Sequence, residues 1–328
     1  MKLRFFSILA FVMGCVSSAF AQDYSFPNHN LVPFTLNPSI VGNANAIRGS
    51  LDFRQQWPAL DNHYTTLRAS FDKNVYKRMC SVGASYTFDD MSNGVYRTNE
   101  FALVYSHAFQ LDDEMYLRLG LQGSYFLNYF GFDKLVYGDQ YDASNGSVDP
   151  NTIEDASNSS CSLFDFSFGA MFNIQNKFSI GASVYHIGEP DNGFIKKSAN
   201  SLSRKFVVHA NYIVDLLYSN GLRGRKDLSD TYLFFNGTYQ QMADFKLAYI
   251  GAGLYLNPVI FGIAEKFNLD EEYVTSFMIG GSYKGFQLYY VYDLFTGSHG
   301  GNGSWSHEIA LIYIHQDKEK YPCPVTYW

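Results

Sequence analysis

The chain has 328 residues with 24 basic and 31 acidic side chains, a formal net charge of −7, and aromatic residues at 18% against charged residues at 17%. That acidic balance argues against nucleic-acid binding, which needs a basic face to neutralise phosphates. Beyond the N-terminus no stretch reaches the roughly 18 to 20 apolar residues of a spanning helix, so the mature chain crosses a membrane as strands or not at all.

In chain order, Lys2 and Arg4, an apolar run from Phe5 to Val16, and Ala19-Phe20-Ala21 before Gln22 read as a signal peptide over residues 1–21. Val12-Met13-Gly14-Cys15 loosely resembles a lipobox, but the short apolar run and Met13 make lipidation at Cys15 the lesser alternative. Cleavage after Ala21 lowers the basic residues from 24 to 22 against 31 acidic ones, a mature charge of −9. It leaves Cys80, Cys161 and Cys323, an odd number that excludes a fully paired framework. Residues 22–45 follow as a periplasmic or lumenal segment.

From Ala46 onward, segments of ten or so residues repeat one design. In Met115–Phe126, Leu117, Leu119 and Leu121 share one parity and Arg118, Gly120, Gln122 and Ser124 the other. Side chains on a strand switch face at every residue, so one face is aliphatic and the other small or hydrophilic. Lys246–Asn257 and Lys177–Ile187 repeat the pattern. The fold class expected is all-β, a transmembrane antiparallel barrel of about 14 strands over residues 46–315, with 26 Tyr and 29 Phe suited to interfacial girdles. The strands run Ala46–Gln55, His63–Asp72, Met79–Phe88, Tyr96–Phe109, Met115–Phe130, Leu163–Ile174, Lys177–Gly188, Ser203–Asp215, Thr231–Gln240, Phe245–Leu256, Pro258–Phe267, Tyr273–Tyr283, Phe286–Phe295 and Trp305–His315. A periplasmic tail, residues 316–328, completes the chain, its Pro322 and Pro324 arguing against a strand.

Periplasmic turns of such barrels are short and outer loops longer. Connections after the fourth, sixth, tenth and twelfth strands are tight, and those after the fifth (131–162), seventh (189–202) and thirteenth (296–304) are long. The exception follows the eighth strand, residues 216–230, and carries Arg223, Arg225 and Lys226. Either the strand count slips there or the periplasmic face bears one basic protrusion, a candidate site for an acidic partner or simply a solvated charge run. This topology places Cys80 and Cys323 near the periplasmic rim, where pairing turns on their Cα separation.

Several strings stand out in order: Leu36-Asn37-Pro38-Ser39-Ile40-Val41-Gly42, Phe53-Arg54-Gln55-Gln56-Trp57-Pro58, Phe132-Asp133-Lys134-Leu135-Val136-Tyr137-Gly138-Asp139-Gln140, His186-Ile187-Gly188-Glu189-Pro190, Ser306-His307-Glu308-Ile309 and Cys323-Pro324. Together they resemble the PorP/SprF family of outer-membrane proteins of the type IX secretion system in Bacteroidetes, over the mature chain from about Gln22. The family more often has Asn-Pro-Ala where Asn37-Pro38-Ser39 stands. The resemblance implies a fourteen-stranded barrel in outer-membrane lipid that supports secretion or surface attachment of proteins bearing a C-terminal sorting domain, adhesins of gliding species among them. It also implies periplasmic partners of the PorK and PorN ring kind and an OmpA-like peptidoglycan-binding protein.

Strand parity turns Arg48, Asp52, Arg54, Arg68, Asp72, Glu100 and Arg118 toward the lumen. They could line a polar passage or a peptide-binding lumen, but charges of both signs on adjacent strands suit mutual pairing better than conduction of one ion type. Trp57-Pro58 reads as a rim aromatic followed by a turn. Tyr137–Tyr141 and the stretch Asp142–Ser160 suit either surface contact with exported cargo or a disordered polar loop.

No enzyme is expected. The eight histidines are scattered without HExxH or metal-ligand spacing, there is no G-x-S-x-G elbow, and no cofactor or metal site is indicated. His307-Glu308 invites a catalytic reading, but neighbours on a strand face opposite ways. The alternative to a secretion component is an outer-membrane channel or hydrophobic-ligand transporter with residues 23–45 as a small hatch.

Overall fold

The computed structural model describes residues 31–43, 46–60, 62–75, 79–142, 144, 146–153, 159–175, 177–194, 201–216, 231–268, 272–295 and 305–316. The signal peptide, Arg223, Arg225, Lys226 and Cys323 lie outside the described residues. Fourteen strands form a closed barrel: β1 Ala46–Gln56, β2 Tyr64–Val75, β3 Cys80–Met91, β4 Tyr96–Asp112, β5 Met115–Phe130, β6 Ser159–Ile174, β7 Phe178–Tyr185, β8 Lys205–Asp215, β9 Thr231–Met242, β10 Phe245–Leu256, β11 Val259–Asn268, β12 Glu272–Tyr283, β13 Phe286–Phe295 and β14 Trp305–Gln316. Each pairs antiparallel with its neighbours in sequence, and β1 closes on β14 from Ala46↔Gln316 to Gln56↔Ser306.

The alternation decides what faces where. In β5 every second residue from Tyr116 to Asn128 is buried, Arg118 and Gln122 among them, while Leu121 and Leu127 are exposed. Leu103 (73% exposed) and Phe164 (71%) lie on the same outer surface, the side that meets hydrocarbon in an outer-membrane barrel. Strands of 8 to 17 residues bracket the nine to eleven that a tilted strand needs to span a bilayer core.

Turn chemistry closes the hairpins. Lys284 (φ 49°) and Gly285 (φ 85°) join β12 to β13 in a two-residue loop with both φ values positive, the geometry that matches the twist of a tight hairpin. The sequential pairing resolves the exception at residues 216–230. β8 pairs with β9 over Lys205↔Met242 to Asp215↔Tyr232, so the count does not slip and this connection leaves from the end that carries the tight turns. Connection length sorts imperfectly at the opposite rim, where β9 and β10 are joined by Ala243 and Asp244 alone.

Several strand ends lie a few residues from the expected ones, among them Val75 rather than Asp72, Met91 rather than Phe88 and a sixth strand that starts at Ser159 rather than Leu163, and two have a local physical reason. The seventh strand stops at Tyr185 rather than Gly188, because His186 takes a left-handed backbone (φ 56°) and turns its ring inward to Asp165. The fourth runs past Phe109 to Asp112 through an irregularity between Gln110 and Asp112. Among the described residues Cys80 and Cys161 form no disulfide.

Candidate functional site in the barrel lumen

The lumen is filled by the chain's own segment from Leu31 to Asn43, folded as two short 3-10 turns, Pro33–Thr35 and Pro38–Ile40. Local chemistry dictates the second turn. Asn37, extended at φ −162° as the residue before a proline must be, accepts the Ser39 N–H (2.9 Å) on its side-chain oxygen, and Pro38 starts the turn where no amide hydrogen is needed.

The other end of the Asn37 amide anchors the segment to the wall. Its Nδ2 lies 3.1 Å from the Ala170 carbonyl, 3.2 Å from that of Ala182 and 3.0 Å from His209 Nε2. So close an approach needs a wall without side chains. Gly120 pairs with Gly169 across β5 and β6, and a Cβ on either would strike the segment, at the Pro38–Ser39 backbone or at the Asn37 side chain.

The barrel also holds the segment's main chain. Tyr185 OH donates to Phe34 O (2.8 Å), Ser183 Oγ to Leu36 O (2.7 Å), Arg118 Nε to Ser39 O (3.0 Å) and Arg118 Nη2 to Val41 O (2.6 Å). Gly42 N donates to Asp72 Oδ2 (2.8 Å), whose other oxygen pairs with Arg48 Nε (2.8 Å). The guanidinium groups of Arg48 and Arg68 stand 5.8 and 6.0 Å from the centre of the Phe34 ring. On the opposite wall the contact is apolar: Leu31 and Val32 pack with Ile260, Tyr289, Val291, Ala310 and Ile312.

The seven lumenal charges therefore divide. Arg48, Arg68, Asp72 and Arg118 surround the segment, and Arg68 also donates to Thr87 (3.0 Å) and Ser85 (2.9 Å). Asp52 accepts from Ser50 Oγ (2.8 Å) with Arg68 and Arg48 as its charged neighbours. Arg54 belongs to a second network centred on Asp293, which Lys266 Nζ (2.9 Å), Ser276 and Ser306 approach closely and Arg54 Nη2 more distantly (3.8 Å). Within it Glu308 is fully buried with no hydrogen-bond partner on either oxygen among the described residues. Glu100 accepts from Ser124 Oγ (2.7 Å) in a third place. Mixed signs do pair here. Lys266, Asp293 and Asp165 were not singled out from sequence, although their strand parity carries the same inward signal, whereas His186 has the outward parity and reaches Asp165 only through its left-handed backbone.

Outside the barrel the string Phe132–Gln140 is a folded loop. Gln140 accepts from Tyr137 N (2.8 Å) and donates to Asp149 O (2.9 Å), and Tyr137 OH reaches Phe132 O (3.1 Å). Asp139 accepts from Ile153 N (2.7 Å) and Thr152 Oγ1 (2.9 Å), bonds that hold its carboxyl below the ordinary value of 3.8. The described part of this loop is therefore ordered, and residues 154–158 lie outside it. At the same rim Trp57 packs edge-on against Tyr64, with ring centres 5.4 Å apart.

No group of three or more His, Cys, Asp or Glu among the described residues could hold a metal ion. Solved structures share the architecture at low identity. The CymD monoaromatic hydrocarbon channel matches with 11% identity over 94% of this chain and 96% of its own, at a TM-score of 0.52. The Ralstonia pickettii toluene transporter TbuX matches with 11% identity over 85% and 92%, at 0.50. No curated protein matches. A closed fourteen-stranded barrel, an inward-turned motif at residues 36–42 and a match of residues 18–313 to the family described as "Type IX secretion system membrane protein PorP/SprF" converge, and the chain belongs to that family of outer-membrane proteins.

Proposed function

We propose that this protein is a non-enzymatic outer-membrane component of the type IX machinery, supporting secretion or surface attachment of proteins with a C-terminal sorting domain. The observation that carries this reading, beside the family, is a lumen occupied by the chain's own buried segment. A barrel filled from within suits a membrane anchor that holds neighbours better than a pore for solutes. The end with the tight turns faces the periplasm, where a PorK/PorN-like ring and an OmpA-like protein dock, and residues 216–230, with Arg223, Arg225 and Lys226, offer them a cationic contact. Deleting the gene and following C-terminal-domain cargo at the cell surface tests this. Cargo retained inside the cell supports it, and normal delivery removes it.

The second reading, a channel or hydrophobic-ligand transporter, draws on the apolar wall around Tyr289 and Ile312 and on the barrel likeness to hydrocarbon channels. It requires the deletion to impair uptake of a small apolar solute while cargo delivery stays intact.

A further inference from the structure

The wall that grips Phe34–Asn43 addresses groups that every polypeptide has. Four carbonyl oxygens, on Phe34, Leu36, Ser39 and Val41, take donors from Tyr185, Ser183 and Arg118, and one amide, on Gly42, is taken by Asp72. These partners stand on β2, β5 and β7, spread along the segment so that successive stretches of backbone are read. Asn37 adds the register, since its side chain enters the bare patch at Gly169 and Gly181, with Pro38 and His209 beside it.

We propose that this wall is a receptor for a turned polypeptide segment, that residues 33–43 are its resident ligand, and that a segment of another chain with an Asn-Pro turn and apolar neighbours takes the same seat when the resident leaves. The reasoning is chemical. Main-chain hydrogen bonds carry over to other sequences, and specificity is left to the pockets that bury Phe34, Leu36, Ile40 and Val41. The resident is joined to β1 through residues 44 and 45, so it competes as an intramolecular ligand at an effective concentration on the order of millimolar. An incoming peptide therefore binds when the resident's own grip is weakened.

The test uses the full chain folded in detergent and a fluorescein-labelled synthetic peptide of residues 31–43, followed by fluorescence anisotropy. Asn37→Ala in the barrel should bind this peptide roughly 100-fold more tightly than the unsubstituted chain. Against that variant, a peptide itself carrying Asn37→Ala should bind about tenfold more weakly. A peptide whose buried apolar residues are exchanged for others of similar size, Leu36→Met and Val41→Ile, should stay within about tenfold of the natural one. Gly120→Ala places a Cβ in the Ser39 seat, so it should expel the resident and refuse the peptide. Phe34→Ala, which loosens the resident through its apolar contact, carries the same prediction if Asn37→Ala yields no barrel. Three results overturn the proposal: a heat-modifiable, folded Asn37→Ala barrel with no saturable binding, equal binding by Gly120→Ala, or loss of binding by the peptide with exchanged apolar residues. The inference needs only the socket, so cargo delivery in cells and peptide binding in vitro fail separately.

Discussion

The two walls of the lumen hold the same short segment by different physics. Toward β2–β8 the contact is polar and directional, built on Asn37, Arg118, Ser183, Tyr185 and Asp72. Toward β11–β14 it is apolar, built on Leu31 and Val32 against Tyr289, Val291 and Ile312. Directional bonds fix where the segment sits and tolerate no displacement, while apolar packing removes surface from water and tolerates small shifts. The difference teaches that one wall sets position and the other closes space.

Substitutions can break or sharpen that contrast. The largest effect is expected from Arg118→Leu, which leaves the Ser39 and Val41 carbonyls without their charged donor. It should destabilise the barrel by about 4 kcal/mol in urea unfolding followed by tryptophan fluorescence. Next comes Gly120→Ala, whose added carbon meets the Ser39 backbone. A cost of about 2 to 3 kcal/mol is expected, together with frequent openings in planar bilayers where the unsubstituted barrel stays closed. Val32→Ala, on the apolar wall, should cost about 2 kcal/mol and leave conductance unchanged, since nothing directional is lost. If Val32→Ala opened the barrel and Gly120→Ala did not, the assignment of position to the polar wall would be reversed.

The smallest effect lies outside the lumen. Asp139, fully exposed, has its acidity strengthened by the Ile153 amide and the Thr152 hydroxyl, so its folded-state value lies below the unfolded one. Its contribution is complete above the ordinary Asp value of 3.8 and is lost only as pH falls through the lower, folded one. Amide exchange at Ile153 should thus be steady from neutral pH to about pH 5 once corrected for intrinsic rates, and Asp139→Asn should raise it throughout.

Much of the barrel was legible because its signal is periodic. Met115–Phe130, Phe245–Leu256 and Phe286–Phe295 match residue for residue, since a lipid face and a lumen face write themselves into alternate positions. The candidate site was legible only as orientation. Parity turned Arg118 inward but could not say that it would meet Ser39, because that contact joins positions 79 residues apart and depends on barrel closure. The Asn37-Pro38-Ser39 string was visible as a motif, yet thirteen residues without a period carry no statement of destination. Asp293 and Lys266 show the same limit: each has the inward parity, and only the register of β11 to β13 brings them within 2.9 Å.

The polar partners of the lumenal segment are distributed over seven strands, from Asp72 on β2 through Ser106, Arg118, Ala170 and Tyr185 to His209 on β8, with Arg48 on β1 behind Asp72. No hairpin alone assembles more than part of that set, so the segment can dock only after half the circumference has formed with its final curvature. Docking is accordingly a late event in assembly. Once made, it ties strands that are not neighbours and gauges the girth of the barrel from inside.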